Sequence, residues 1–175
     1  MKIILFESSP HKRGASNMLA GYFIKGAEEA GHSVTVIDVA RIKMEPCRGC
    51  YAGEKMQRCV IHDDLSRIEA ELENSDMIVY VTPVYYYLMA APLKAVIDRL
   101  HCFEPKLHGM KSLLIATAHR SDDQVMQYLQ DFYKGLVDYL EYDDQGMIMA
   151  KGCYDTDTVQ NSPYAQRAYS LGKSL

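Results

Sequence analysis

The chain has 175 residues, of which 48% are hydrophobic and 24% are charged, and this composition excludes an intrinsically disordered protein. Nineteen Lys and Arg residues against 23 Asp and Glu residues give a formal net charge of −4. A mildly acidic surface repels phosphate backbones and anionic lipids, so we expect neither nucleic acid nor a membrane surface as a partner.

The apolar stretches and the cysteines indicate the cellular compartment. The run Met1–Glu7 is too short for a secretory signal, and no stretch approaches the roughly 20 apolar residues of a membrane span. The five cysteines are an odd number, which favours free thiols in a reducing environment. We therefore expect a cytoplasmic protein.

In chain order, the hydrophobic spacing predicts short strands that alternate with helices. The predicted strands are Lys2–Glu7, Ser33–Val39, Met77–Thr82, Ser112–Thr117 and Met147–Ala150. The predicted helices are Ser16–Ala30, Asp64–Asn74, Pro92–Cys102, Asp122–Leu140 and Ser162–Gly172. Such alternation forces parallel pairing, because each crossover helix packs back on the sheet. We therefore predict a single α/β domain over residues 1–175, with a three-layer, doubly wound sheet of five parallel strands.

The segment between the first strand and the first helix is rich in polar groups. These groups are carried by Ser9, Lys12, Arg13, Ser16 and Asn17, with Gly14 among them. A helix N-terminus offers free N–H groups and a positive dipole end, so the segment suits a phosphate monoester. The alternative is that Ser16 only caps the helix in a surface turn. The spacing matches neither a dinucleotide-binding glycine motif nor a Walker loop, which argues against both kinds of site.

Three consecutive tyrosines, Tyr85–Tyr87, follow the third predicted strand. They cannot all point into one core, so we expect a flat aromatic surface on which a planar ring system could stack. The alternative is a subunit interface, where Tyr and Met are enriched. We favour both together, because the tyrosines of one subunit can form a wall of the other subunit's pocket.

Four short motifs follow one another over roughly the first 100 residues. They are Ser9-Pro10 with Lys12, Gly14, Ser16 and Asn17; Pro46-Cys47-Arg48-Gly49-Cys50; Cys59-Val60-Ile61 with Asp63-Asp64; and Thr82-Pro83-Val84-Tyr85 with Pro92-Leu93-Lys94 and Ile97-Asp98-Arg99. In this order they resemble the NAD(P)H-dependent FMN reductase family of flavodoxin-like proteins and its iron–sulfur flavoprotein relatives. The resemblance implies FMN as the cofactor and the strand order 2-1-3-4-5.

The resemblance also implies which residues would bind FMN. Around the phosphate they are Ser9, His11, Arg13, Ser16, Asn17 and Met18, with His11 at a position where the family often has arginine. Along the isoalloxazine ring they are Pro83, Val84, Tyr85 and Tyr86. On the other side of the flavin they are Thr117 and His119, after the fourth strand. The family often has a Gly-rich sequence at that last loop, so the alternative for His119 is a solvent-exposed histidine.

The implied activity is that of an oxidoreductase in which NAD(P)H passes hydride to bound FMN. The electrons then reach a quinone, a free flavin or another small acceptor. The alternative is a non-enzymatic electron-transfer protein, flavodoxin-like or iron–sulfur flavoprotein-like. No catalytic side chain is expected, because the cofactor carries the chemistry, and Asp98 and Arg99 are predicted to form a structural pair. A homodimer or homotetramer is expected from the tyrosines and the family.

The stretch Arg41–Asp63 is predicted to be irregular, and it is too long for a simple connection. Its pattern Cys47-x2-Cys50-x8-Cys59-x2-His62 has spacings that are plausible for zinc held by three cysteines and one histidine. The alternatives are an iron–sulfur cluster and thiols that bind no metal. We favour thiols without metal.

The resemblance bears on the cluster alternative. Iron–sulfur relatives carry a compact four-cysteine motif, and its third position corresponds here to Gly53. A four-thiolate cluster therefore lacks one ligand, which His62 could replace. The remaining cysteines, Cys102 and Cys153, are predicted to be ordinary buried thiols.

Overall fold

The computed structural model describes residues 1–56 and 58–175, without the side chains of Glu54 and Lys55. In these residues one sheet contains the strands β1 (Lys2–Glu7), β2 (Ser33–Asp38), β3 (Met77–Tyr85), β4 (Leu88–Met89), β5 (Lys111–Thr117) and β6 (Asp143–Ala150). The order β2-β1-β3-β5-β6 is parallel throughout, and β4 pairs antiparallel with β3. The predicted doubly wound parallel sheet and its strand order are confirmed.

The helices of the described residues fall between and after these strands. They are α1 (Ala15–Glu29), α2 (Ala52–Met56), α3 (Leu65–Glu73), α4 (Ala91–Arg99), α5 (Glu104–Leu107), α6 (Gln124–Leu140), α7 (Thr156–Gln160) and α8 (Pro163–Ser174). A 3-10 helix at Leu100–Phe103 joins α4 to α5. None of these helices combines the length and the hydrophobicity that a membrane span requires.

Two strands differ from the sequence prediction by more than one residue. The third strand continues past Thr82 to Tyr85, because Val84 and Tyr85 pair with Met89 and Leu88 in a small hairpin. The last strand begins at Asp143, four residues earlier than predicted for Met147. Its first residues are polar and exposed, as an edge strand permits, so alternation of apolar residues could not predict them.

Three short helices were not predicted. Helix α2 lies inside the stretch expected to be irregular, α5 follows the 3-10 helix, and α7 precedes α8. Each has four or five residues, which is too short for a hydrophobic period to register. Helix α7 starts with a capping box, in which Asp155 accepts from the Thr158 N–H at 2.8 Å and the Thr158 hydroxyl oxygen accepts from the Asp155 N–H at 3.1 Å.

Two apolar clusters lie on opposite faces of the sheet, as the alternation of β1 requires. Ile4 and Phe6 belong to the cluster that includes buried residues of α3, α4 and α6. Ile3 and Leu5 belong to the other cluster, together with buried residues of α1 and α8. The sheet is therefore the middle of three layers, and its parallel strands present their carboxyl ends at one edge.

Helices α1 and α8 pack closely through a glycine on each. A Cβ atom at Gly26 would lie 2.1 Å from the Tyr169 carbonyl oxygen, and one at Gly172 would lie 2.2 Å from the Phe23 carbonyl oxygen. No side chain fits in either position, so the two backbones are in direct contact. This contact fixes α1, whose first turn is the centre of the candidate site.

Candidate functional site

The parallel register brings three loops together at the carboxyl edge of the sheet. The last residue of β1, Glu7, lies opposite Val81 of β3, and Pro83 of β3 lies opposite Thr117 of β5. The Ser8 N–H donates to the Val81 carbonyl at 3.1 Å, and the Ser8 hydroxyl donates to the same oxygen at 2.8 Å. The loops after β1, β3 and β5 are thus held side by side, where ligands bind in open α/β sheets.

The loop from Ser8 to Asn17, which we call the phosphate turn, is tightly folded. The His11 N–H donates to the Ser9 hydroxyl oxygen at 3.2 Å, and the Gly14 N–H donates to the His11 carbonyl at 2.9 Å. A Cβ atom at Gly14 would lie only 2.6 Å from the Ser9 Oγ. A side chain at position 14 would crowd the turn, and the glycine leaves the first N–H groups of α1 uncovered by a capping side chain.

Ser16 and Asn17 are buried in the first turn of α1, with 1% and 7% of their surface exposed. Within the described part of the chain, the Ser16 Oγ and both polar atoms of the Asn17 amide have no hydrogen-bond partner. The residue that caps α1 is Gly14, so the interpretation of Ser16 as a helix cap is wrong. Buried polar groups without a partner each cost about 1–3 kcal/mol, which favours a ligand at this point.

The other predicted phosphate residues lie around this turn. His11, Lys12 and Arg13 are exposed, and the cations Lys12 and Arg13 bring positive charge to its mouth. The Met18 N–H donates to the Gly14 carbonyl at 3.0 Å, and its side chain packs against the α1 and α8 side of the core. The structure thus gathers the predicted cations at the turn, while Met18 contributes to the core.

Two charged residues near the phosphate turn were missed by sequence reasoning. Arg41 donates to the Pro10 carbonyl at 2.9 Å and forms an ion pair with Asp38, so it ties the turn to the end of β2. Burial and the neighbouring Asp38 raise the pKa of Glu7 to about 7, although Arg41 opposes the shift. The register of the strands places both residues near the turn, and the sequence alone does not predict that register residue by residue.

The second wall of the site is the hairpin formed by β3 and β4. The Ala90 N–H donates to the Thr82 hydroxyl at 2.9 Å and so closes the hairpin at its base. Pro83 and Val84 are half-buried, and Tyr85 is more exposed. At the tip, Tyr86 is 97% exposed and has a φ of 48°, a left-handed conformation that is unusual for an aromatic residue.

The third wall follows β5. Thr117 is buried at the end of the strand and pairs with Ala150, whereas His119 is exposed. The His119 ring lies 4.5 Å from the ring of Tyr154, measured between centroids. Tyr154 was not predicted, because it comes from the loop after β6, which the sequence prediction did not connect with the site.

A separate cavity of about 590 Å³ lies between residues 41–63, which we call the cysteine segment, and the end of α4. Four of its lining residues are Cys47, Cys50, Cys59 and Cys102. Cys47 and Cys50 are otherwise exposed, Cys59 is half-buried and Cys102 is buried. In residues 1–56 and 58–175, no three His, Cys, Asp or Glu side chains are gathered closely enough to hold a metal ion. His62 is exposed and does not line the cavity.

Arg99 anchors the cysteine segment, and the prediction that it pairs with Asp98 is wrong. Its side chain is 1% exposed and binds both oxygens of Asp63, at 2.9 and 3.1 Å. It also donates to the carbonyl oxygens of Glu45 at 2.6 Å and Ile61 at 3.4 Å. Asp98 faces the other way on the helix and pairs with Lys94 on the surface.

Comparison with known proteins places the chain in a family. A family model described as NADPH-dependent FMN reductase matches residues 1–147. An iron–sulfur flavoprotein of Archaeoglobus fulgidus is 27% identical over 138 residues, which are 77% of this chain. This chain spans 63% of the length of that relative.

Solved structures with low sequence identity share the fold. The NAD(P)H:quinone oxidoreductase from Methanothermobacter marburgensis is 17% identical, with a TM-score of 0.79 over 99% of this chain and 95% of that chain. An FMN-dependent NADH-azoreductase from Bacillus anthracis in complex with FMN is 14% identical, with a TM-score of 0.68 over 99% and 97%. The fold, the match over residues 1–147 and the order of the motifs agree, and the chain belongs to the NADPH-dependent FMN reductase family.

Proposed function

We propose that this chain is an FMN-dependent oxidoreductase that takes hydride from NAD(P)H and passes electrons to a quinone, a free flavin or another small acceptor. One observation carries the proposal: the Ser16 hydroxyl and the Asn17 amide are buried without partners in the first turn of α1. These groups, together with the free N–H groups of the helix, match the oxygens of a phosphate monoester.

The residues of the site would divide the work of holding FMN. Ser16, Asn17 and the start of α1 would bind the phosphate, and the exposed cations of the turn would attract it. Pro83, Val84 and Tyr85 would lie along the ring, with Thr117 and His119 on the opposite side. Bound FMN would supply the hydride and electron chemistry, so this chain needs only to bind, orient and leave one face open.

The aromatic tip of the hairpin supports a dimer as part of the proposal. Tyr86, Tyr87 and Leu88 line a groove with Tyr128 and Phe132. The rings of Tyr87 and Tyr128 meet edge to face, with centroids 5.7 Å apart. An exposed aromatic group of this kind is typical of an interface. We expect light scattering to give a homodimer or homotetramer; a monomer would remove this part of the proposal.

A second candidate function is a one-electron carrier that works between protein partners. The cysteine-lined cavity favours it, since the relatives that match the chain are named iron–sulfur flavoproteins. The two candidates differ in their substrates, because only the enzyme requires direct oxidation of a nicotinamide.

Two measurements test the proposed function. Titration of the apoprotein with FMN, followed by flavin fluorescence, should give a saturable complex and a rise in melting temperature. The flavin-loaded protein should then oxidise NADH or NADPH in the presence of the soluble quinone menadione. No binding of FMN would contradict the cofactor assignment. Full FMN loading without nicotinamide oxidation would favour the electron carrier.

A further inference from the structure

The cavity of about 590 Å³ beside the cysteine segment lies away from the flavin site. None of the described residues that line it belongs to the loops after β1, β3 or β5. Helix α4 begins at Ala91, next to the hairpin, and its end at Arg99 forms part of the cavity wall. At about 1.5 Å per residue, the helix carries the chain about 12 Å from one point to the other. The cavity is therefore a separate space, which the proposed flavin chemistry does not use.

Apolar side chains form most of the walls of this cavity. Leu100 comes from the 3-10 helix, Leu107 from α5, and Leu136 and Leu140 from the end of α6. Three of these leucines are buried, and Leu136 is half-buried. Apolar walls around a space of this size are typical of a site for the ring system of a small molecule.

Tyr80 of β3 adds an aromatic surface to these walls. Its side chain is buried, and its hydroxyl shares a hydrogen bond of 2.8 Å with the Tyr142 hydroxyl. Because the hydroxyl already has a partner, the part of Tyr80 that a ligand would contact is the ring. A second ring could pack against it with the geometry that aromatic pairs prefer.

Arg99 has one buried hydrogen-bond donor that is not used. A guanidinium carries five N–H groups, four on the terminal nitrogens and one on Nε. The terminal Nη1 donates to Asp63 and to the Glu45 carbonyl, and Nη2 donates to Asp63 and to the Ile61 carbonyl. The Nε is buried and has no hydrogen-bond partner among the described residues. Such a donor costs about 1–3 kcal/mol, which favours a ligand atom that accepts from it.

An oxygen atom suits this donor better than the neighbouring sulfur does. Burial lowers the pKa of Arg99, but the hydrogen bond to Asp63 and the nearby Cys59 outweigh that effect, so its pKa is raised overall. The Cys59 thiol is thus close to the guanidinium, yet sulfur is a weak acceptor and Nε stays without a hydrogen bond. The guanidinium remains charged, so its Nε–H is always available as a donor.

The charges around the cavity favour an uncharged ligand. Asp63 already neutralises Arg99, because it binds the guanidinium with both carboxylate oxygens. Glu104 also lines the cavity; it accepts from the Tyr139 hydroxyl at 3.0 Å and lies 2.9 Å from the His101 Nδ1. Glu104 would repel an anion, and Arg99 would repel a cation. A carbonyl oxygen accepts a hydrogen bond without bringing a charge.

We propose that this cavity binds an uncharged bicyclic carbonyl compound, whose rings lie against the leucines and Tyr80 and whose oxygen accepts from the Arg99 Nε. The binding is non-covalent, and the compound occupies a second site of the protein, apart from the flavin. The apolar walls supply most of the affinity, and the single donor selects compounds that carry a carbonyl oxygen.

Two probes that differ by one carbonyl group test the proposal on the wild-type protein, with and without FMN. 1-Tetralone has two fused rings and a carbonyl oxygen, and tetralin has the same rings without that oxygen. Neither has an electrophilic double bond to which the cavity thiols could add. Calorimetric titration should show saturable binding of 1-tetralone, about ten-fold tighter than that of tetralin. A purely apolar cavity would prefer tetralin, so equal or tighter binding of tetralin would overturn the proposal, as would no saturable binding of 1-tetralone.

A pair of matched variants locates the bound 1-tetralone. Leu136→Trp fills part of the cavity and should weaken its binding at least ten-fold. Leu171→Trp makes the same change at a half-buried position of α8, on the opposite face of the sheet, and should leave the binding unchanged. Leu136→Phe, a smaller change at the same position, replaces Leu136→Trp if thermal melts show that the latter does not fold.

The flavin serves as a second control on the location. The affinity for FMN should be the same with and without saturating 1-tetralone, because the two sites are separate. Competition with FMN would overturn the proposal, as would unchanged binding of 1-tetralone in the folded variant at Leu136. Failure of the wild-type protein to bind FMN would overturn the proposed function and leave the binding of 1-tetralone as it is.

Discussion

The phosphate turn and the cysteine segment are two candidate binding regions that differ in how far they are assembled. In the phosphate turn, Ser16 and Asn17 are buried and held in place by α1, and their side-chain polar atoms have no hydrogen-bond partner among the described residues. In the cysteine segment, the thiols lie on the walls of a cavity, and the segment is held at its base by Arg99. The first region is preorganised, whereas in the second no three metal-ligating side chains of the described residues are gathered at one point.

The largest effect is expected from removal of the anchor of the cysteine segment. Arg99→Met leaves the half-buried Asp63 without its cationic partner and frees the Glu45 and Ile61 carbonyls. We expect the free energy of unfolding to fall by about 3–5 kcal/mol, measured by urea denaturation. A loss below about 1 kcal/mol would contradict the view that this pair holds the segment.

A control and a pH series sharpen this test. Asp98→Asn removes the neighbouring exposed pair with Lys94 and should cost less than about 0.5 kcal/mol. Burial opposes ionisation of Asp63, but the hydrogen bonds from Arg99 and the backbone outweigh it, so its pKa is lowered from 3.8. The contribution of ionised Asp63 to the free energy of unfolding is therefore present above pH 3.8. It is lost as the pH falls through the lower folded-state pKa of Asp63. The difference between wild type and Arg99→Met should narrow over that acidic range.

In the phosphate turn, Ser16→Ala should change ligand binding and stability in opposite directions. Loss of the hydroxyl should weaken FMN binding about ten-fold, or about 1.4 kcal/mol. Because the Ser16 Oγ is buried without a partner, its removal should raise the stability of the apoprotein by about 1 kcal/mol. Fluorescence titration and urea denaturation measure the two effects.

Ser162→Ala is the matched control, because Ser162 caps α8 and accepts from the Tyr164 N–H at 3.3 Å. It should cost about 1 kcal/mol of stability and leave FMN affinity unchanged. If Ser16→Ala behaves like Ser162→Ala, then Ser16 stabilises the helix and does not bind phosphate.

A smaller effect on the free energy of unfolding is expected from Glu7, at the base of the phosphate turn. Burial and Asp38 raise the pKa of Glu7 from 4.5 to about 7, so between these pH values the folded state binds more protons than the unfolded state. The free energy of unfolding should therefore fall as the pH rises through this range. Glu7→Gln should remove that fall and be more stable above pH 7 by on the order of 1 kcal/mol, after allowance for solvent screening.

The pH series for Glu7 needs a control for the loss of one negative charge. Glu73→Gln, at the exposed end of α3, changes the net charge by the same amount. Its stability profile should run parallel to that of the wild type. A parallel profile for Glu7→Gln as well would mean that Glu7 ionises in the folded protein as it does in the unfolded chain.

The smallest effect is expected at the tip of the hairpin. Tyr86 has a φ of 48°, which glycine adopts without strain, so Tyr86→Gly should raise stability by about 0.5 kcal/mol. Loss of the ring should lower the rate of quinone reduction if the tyrosine lies over the open face of the site. Tyr86→Ala separates the two effects, since it removes the ring but keeps the strained backbone. Equal rates in both variants and the wild type would place Tyr86 outside the site.

The sequence predicts the sheet well, because the buried parallel strands are almost continuously apolar. Met77–Thr82 and Ser112–Thr117 lie within β3 and β5, and the order of the strands follows from the family resemblance. The polar start of β6 and the short helices α2 and α7 carry no hydrophobic period. The start of β6 forms at the edge of the sheet and α7 forms on its capping box, and both features appear only in three dimensions.

The sequence predicts the site less completely, because contacts between distant residues decide it. The phosphate turn is continuous in the chain, so Ser16 and Asn17 could be identified from their place before a helix. Arg41 and Tyr154 reach the site from other loops, and the chain order gives no sign of them. The sequence predicts Cys102 as an isolated thiol, since it lies 43 positions after Cys59 along the chain. Only the fold places it against Gly53.

Through the glycine contact between α1 and α8, the last helix can affect flavin binding at the start of α1. A bulky residue at Gly172 would press on the backbone of α1 at the Phe23 carbonyl, and this would tilt the axis of α1. The tilt of that axis sets the direction in which its first N–H groups point. Changes in the final 28 residues, beyond the family match that ends at residue 147, could thus tune how tightly a flavin is held without touching it.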